Sequence, residues 1–161
     1  MVATFAWSET YGASTTTGTP TNLNFGSTSA IDLTPSTYPI TAGTNSYEKW
    51  VRGDWSGSFT RIDNVQFWKS AGAYVTGEGI DWDGDGNTAY VVSTSATSSV
   101  ATTVVPTADP GTANVSIGGA LTGSLTATGY TDYVVMQMQI TSTASAGPVN
   151  QKTFTLQYDE V

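Results

Sequence analysis

The sequence predicts an all-β fold: a single-domain antiparallel β-sandwich. Three observations carry this. No segment shows apolar residues at helical spacing, whereas short runs alternate apolar and polar residues with a period of two. Gly, Pro, Asn and Asp separate those runs at turn-forming positions. Thr and Ser stand where charge usually does: charged residues are 11% of the chain, against about 25% in ordinary globular domains. A β-branched Thr suits a pleated surface.

The elements follow in order. Residues 2–8 and 22–26 read as strands, with Leu23 and Phe25 on one face. Between them, residues 9–21 are expected as a flexible arm or loop. Residues 47–55 form the next strand, where Gly53 permits a bulge. Residues 59–62 and 65–68 form a hairpin around Asp63-Asn64, since both residues tolerate positive φ. Residues 89–93 and 100–105 follow as strands, the second stopped by Pro106, and Asp109-Pro110-Gly111 makes a turn. Near the C-terminus, Val134, Met136, Met138 and Ile140 share one face, as do Phe154, Leu156 and Tyr158. Those two runs, joined by TASAGPVN, are expected to pair antiparallel. With no boundary or repeat, residues 1–161 make one sandwich, Ig-like or jelly-roll-like.

Composition narrows function. Five basic and thirteen acidic residues give a net charge of −8, which repels nucleic acid and anionic membrane and favours a basic partner surface. The absence of Cys removes disulfides and thiol chemistry, and the absence of His removes the commonest general base and metal ligand. MVATFAWSET has no secretory n-region or h-region, and no apolar run approaches the roughly 18 residues of a membrane span. Synthesis and folding in a cytoplasm are expected.

The acidic stretch DWDGDGN, residues 81–87, is the one concentration of charge. Its first reading is a hairpin tip. The second is a calcium site of Asp81, Asp83, Asp85 and Asn87, because alternating carboxylates followed by Gly86 match the first half of an EF-hand loop. The bidentate Glu expected at the twelfth position is Val92 instead, and the flanks read as strands. A glycosidase would need two carboxylates about 5–10 Å apart across a cleft. Asp54, Asp63, Asp81 and Asp83 supply carboxylates but no acid motif, so no enzyme is predicted. Arg52-Gly53-Asp54 spells an adhesion tripeptide, yet Trp50, Val51 and Trp55 enclose it within a strand. Asn114-Val115-Ser116 is a formal glycosylation sequon, and SIGGALTGSLTATG lacks the lysine of a phosphate loop.

The run NSYEKWVRGDWSGSFTRIDNVQFWKSAG, with ATTVVPTADPGTANVSIGG, GYTDYVVMQMQITSTASAGPVN and KTFTLQYDEV, resembles small structural proteins of tailed bacteriophages. The similarity spans most of residues 22–161. It implies a virion component, a head decoration or auxiliary capsid protein made in the host cytoplasm. Its partners would be the major capsid protein or other virion proteins, and a homo-oligomer, first a trimer, would repeat one patch at each junction. The resemblance implies no catalytic residues. The alternative is a carbohydrate-binding β-sandwich with a structural calcium, in which Trp7, Trp50, Trp55, Trp68 and Trp82 supply a stacking platform.

Overall fold

Alternation along each strand decides which side chains meet in the interior. The computed structural model describes residues 2–145, 147 and 150–161, and among them ten strands and no helix form. They are β1 (Ala3–Tyr11), β2 (Thr16–Gly18), β3 (Lys49–Gly57), β4 (Ile62–Ala71) and β5 (Glu78–Asp83). β6 (Thr103–Val104), β7 (Ser124–Leu125), β8 (Gly129–Tyr130), β9 (Val134–Ile140) and β10 (Thr153–Glu160) complete the set. The wide sheet runs β2-β1-β3-β9-β5-β6, with β8 also beside β3, and the narrow sheet runs β10-β4-β7. All pairings are antiparallel. The fold is all-β, as the alternation predicts.

The two sheets share one core. Ala3, Val51, Trp55, Ile80, Trp82, Val134, Met136 and Met138 enter it from the wide sheet. Ile62, Val65 and Phe67 enter from the narrow one, with Phe154, Leu156 and Tyr158 partly buried against them. The ring of Phe67 stacks on Phe154 at 5.5 Å and on Trp82 at 5.7 Å, so rings from both sheets interleave. Gly53 keeps its place because a Cβ there would come within 2.8 Å of the Phe5 ring and 2.9 Å of Trp55. It makes room for aromatics rather than a bulge. The extra residue lies opposite, where Arg52 and Gly53 face Thr131, Asp132 and Tyr133.

One flank of the sandwich is closed by the chain itself. Val105 N–H donates to Ile80 of the wide sheet, and Pro106 C=O then accepts from Lys69 N–H of the narrow one. Asn114 follows and zips onto β4 with its side chain: Oδ1 accepts from Phe67 N–H at 2.7 Å and Nδ2 donates to Phe67 C=O at 2.9 Å. The other flank, bounded by β10 and by β1 with the short β2 at its end, is spanned by no backbone–backbone hydrogen bond among the described residues; there Ala3 N–H donates to the Glu160 carboxylate.

At the end where β1 finishes and β3 begins, the core is closed by paired charge. Lys49 Nζ lies 2.7 Å from Glu9 Oε1 and also donates to Ala30 C=O. Lys152 Nζ binds both oxygens of the fully buried Glu78 carboxylate. Lys69 donates to Gly72 C=O and lies 4.9 Å from the Tyr74 ring, which is also 5.7 Å from Lys152 Nζ. Burial pushes the Glu9 carboxyl up despite the lysine beside it, and its Oε2 has no partner.

Several expected elements take another form. Residues 9–21 begin inside the sheet, because Glu9–Tyr11 pair with Thr16–Gly18 as a hairpin; the expected arm shrinks to its tip and the residues beyond. Residues 22–26 and 89–93 are not strands, although Phe25 is buried in the core. Residues 59–68 are not a hairpin. Asn64 does adopt positive φ (50°), but it uses it for a bulge within β4, where Asn64 and Val65 face Tyr158 alone. Only Thr103–Val104 of the 100–105 run pairs as a strand. β9 and β10 belong to different sheets and do not pair; Ala146, Pro148 and Val149 of the joining TASAGPVN lie outside the described residues.

Replacing Lys49 by Met strands the Glu9 carboxylate inside the core. Such removal of one partner from a buried pair costs about 3–5 kcal/mol. Adding Glu9→Leu to Lys49→Met should recover most of that loss in urea unfolding followed by Trp fluorescence; simple additivity of the two substitutions would contradict the coupling.

Candidate binding surface

The outer face of the wide sheet divides into a covered half and a bare half. Over the half nearest the lysines runs the segment 88–101. It places Tyr90, Val100 and Ala101 on Trp50, Tyr133 and Val135. Its backbone meets side chains rather than a strand. Gln137 Nε2 donates to Ser46, Thr94 and Ala96 carbonyls while its Oε1 accepts from Ser98 N–H. Glu48 accepts from Trp50 Nε1 and Ser98 Oγ, and Ser93 Oγ donates to Glu48 C=O. Every buried polar group needs such a partner where no ladder runs.

The bare half is built from the even-numbered residues of β1 and β3, which point away from the core. Thr4, Ala6, Asp54, Ser56, Thr128 and Tyr130 line a shallow depression of about 360 Å³. Tyr130 is 53% exposed. The Arg52 guanidinium lies 3.7 Å from the centre of its ring and 4.9 Å from that of Tyr133. Arg52 Nε has no hydrogen-bond partner, since the Asp54 carboxylate is 3.8 Å away. The tripeptide 52–54 is thus part of a strand and not a loop tip, with Arg52 and Asp54 half-buried on the outer face.

The acidic stretch lies beyond the other edge of this face. Asp81 and Asp83 alternate outward from β5 while Ile80 and Trp82 point into the core. Asp83 Oδ1 accepts from Asp85 N–H at 3.0 Å, and Asp85 Oδ1 accepts from Ser116 Oγ. Asn87 is turned to β9, its C=O accepting from Tyr133 N–H and its Nδ2 donating to Tyr133 C=O. Asp83, Asp85 and Asn87 are therefore engaged by different groups, and Asp81 points outward from β5. Among the described residues no three acidic side chains converge closely enough to hold a metal ion. A turn does form at Gly86 (φ 75°), but it opens a long excursion before β6 returns to pair with β5, and so is no tight hairpin tip.

A carboxylate outside that motif is perturbed as well. Asp132 has a buried Oδ2 without a partner. Burial, and then the charge of Asp85, push its carboxyl above the usual aspartate value; burial does the same to Asp81. Asp132 follows Gly129-Tyr130-Thr131 and precedes the alternating run of β9, a position that advertises a strand junction and nothing else. Tyr130 and Arg52 were equally silent as a pair, because their contact joins residues far apart in the chain.

The Trp platform does not form. Trp50, Trp55 and Trp82 are buried, and Trp7 and Trp68 are half-buried. Asn114 of the sequon has both ends of its amide engaged by Phe67.

No protein-family model matches the chain, and no curated protein or solved structure matches it at a significant level.

Because the folded pKa of Asp132 is raised, its contribution favours the fold below the ordinary value of 3.8 and is lost as pH climbs through the raised value. Asp132→Asn should therefore raise Tm at neutral pH by a few degrees, with the gain vanishing toward pH 3.8. A gain independent of pH would refute the electrostatic cause. Calcium and chelator should leave Tm in the same place; a calcium-dependent rise would mean that the carboxylates reorganise around a cation.

Proposed function

We propose that the chain is a virion structural protein of a tailed bacteriophage, a decoration protein that adheres to the capsid surface, stabilises it and works as a homo-oligomer. It is made in the host cytoplasm and ends on the particle. The reading assigns it no reaction of its own. The observation that carries it is the bare half of the wide sheet: a rigid, nearly neutral surface with an aromatic–guanidinium centre, set in an acidic molecule. Interfaces draw most of their energy from such Tyr and Arg residues surrounded by small neutral neighbours. The resemblance of the chain's longest runs to phage structural proteins points the same way.

The distribution of charge supports a basic partner surface. All three lysines are buried or bound in the core end, and Arg52 is stacked on Tyr130. Arg61 is the exposed cation, paired to Asp63 at 2.6 Å. Every aspartate, in contrast, is at least partly exposed. A capsid surface with a basic rim around a neutral centre fits this pattern.

A second reading is a carbohydrate-binding module, favoured by the exposed Tyr130 ring and the Asp54 carboxylate in one depression. An aromatic face stacks on a pyranose, and a carboxylate accepts its hydroxyls.

Co-sedimentation with purified capsids tests the first reading. Tyr130→Ala should weaken binding by about 30-fold, equivalent to about 2 kcal/mol, without lowering Tm. Added salt should weaken it further through the rim. Saturable binding of soluble glycans, lost in Tyr130→Ala, together with no capsid binding would select the second reading.

A further inference from the structure

The flank of the sandwich that the chain does not close has an unusual composition. β10 ends the narrow sheet, and its second edge makes no backbone hydrogen bond among the described residues. On the wide sheet, β2 covers only Glu9–Tyr11 of β1, so residues 3–8 present an open edge beside it. Between the two edges stand Phe5, Trp7, Phe154, Leu156 and Tyr158, all only partly buried. Unpaired edges are normally blunted by charge, proline or a cover. Along β10 the outward-facing Thr153, Thr155 and Gln157 are neutral, and acids arrive only at Asp159 and Glu160. Glu160 itself is turned to β1, where its Oε1 accepts from Ala3 N–H at 2.8 Å.

We propose that β10 pairs antiparallel with β10 of a second copy, joining the two narrow sheets into one about a twofold axis. Three features favour a copy of this chain as the occupant. In a molecule whose exposed charge is nearly all acidic, residues 153–157 are a stretch that two copies can bring together without repulsion. Antiparallel pairing about Thr155 or Leu156 carries each Asp159–Glu160 end away from its counterpart, whereas parallel pairing would stack them. The flank is also self-complementary. β2 forms a step at one end of β1 and leaves a recess at the other, and a twofold rotation brings each step alongside the partner's recess. The symmetry is a dimer's, in place of the trimer expected from the resemblance.

The absence of native cysteine makes the test direct. Thr153→Cys, Thr155→Cys and Gln157→Cys are prepared singly, with Ala108→Cys in an exposed loop as control. Under mild oxidation, one of the β10 variants should cross-link at least about tenfold faster than the control, since disulfides need Cα atoms within about 7 Å. Sedimentation should show a dimer of the unmodified chain that tightens as salt screens the −8 charge of each copy. Thr155→Lys, which puts a gatekeeping charge near the axis, should yield a folded monomer whose Tm, unlike that of the unmodified chain, does not depend on protein concentration. Monomer at every salt concentration, a trimer, or cross-linking at β10 no faster than the control would each overturn the proposal, as would cross-linking only to a capsid subunit. The pairing requires no shell, so a chain that dimerises yet ignores capsids would defeat the decoration reading and leave this one standing.

Discussion

The structure depends on burying an apolar patch on the outer face of its wide sheet. Trp50, Tyr133 and Val135 point away from the inter-sheet core, where the narrow sheet cannot reach them, so that half of the face has no strand layer to cover it. Irregular chain has to do that work, and irregular chain buries peptide groups that have no ladder to join. Long polar side chains solve the problem. Gln137 serves three carbonyls and one N–H of the covering segment, Glu48 joins Trp50 to Ser98, and Asn114 offers β4 a side-chain amide in place of a neighbouring backbone. These residues, more than any extra apolar surface, let loops act as layers.

The closure of the core end shapes the charge of the exterior. Closing the core end with Lys49, Lys69 and Lys152 removes from the surface most of the few cations that the chain possesses. Three of the four glutamates go inward with them or beneath the covering segment. What remains outside is aspartate on a field of Thr, Ser and Gly. Copies of the molecule repel one another there, and a surface that adhered to it would have to bring positive charge or meet it where it has none.

The fold class was legible because alternation survives wherever a strand has one face in the core. β9 and β10 show it without interruption, and β1 and β3 nearly so. Legibility failed where a side chain from a distant strand replaced a backbone partner. Residues 89–93 alternate like a strand, yet their hydrogen bonds run to Glu48 and Tyr90. Asn64 announced positive φ, but the same φ serves a turn or a bulge, and only the register against Tyr158 distinguishes them. The acidic motif is ambiguous for a related reason. Its spacing is that of a cation loop only if the chain curls around a centre, and β5 holds Asp81 and Asp83 straight. Arg52 on Tyr130 was invisible because a cation–π contact leaves no periodic trace.

The proposed edge pairing has a consequence for how the proposed docking face would act. Antiparallel strands in one sheet are related by a twofold axis perpendicular to that sheet. Both copies then keep their layers in the same order along the axis, narrow sheet on one side and wide sheet on the other. The bare faces built around Tyr130 and Arg52 consequently point in the same direction from both copies. A face that grips weakly by itself would be presented twice to a single extended surface, and the second contact would form at high effective concentration. An isologous pairing through the wide sheet's outer face would instead bury that patch between the copies. The location of the neutral strand edge, at right angles to the bare face, is what allows one chain to carry both contacts at once.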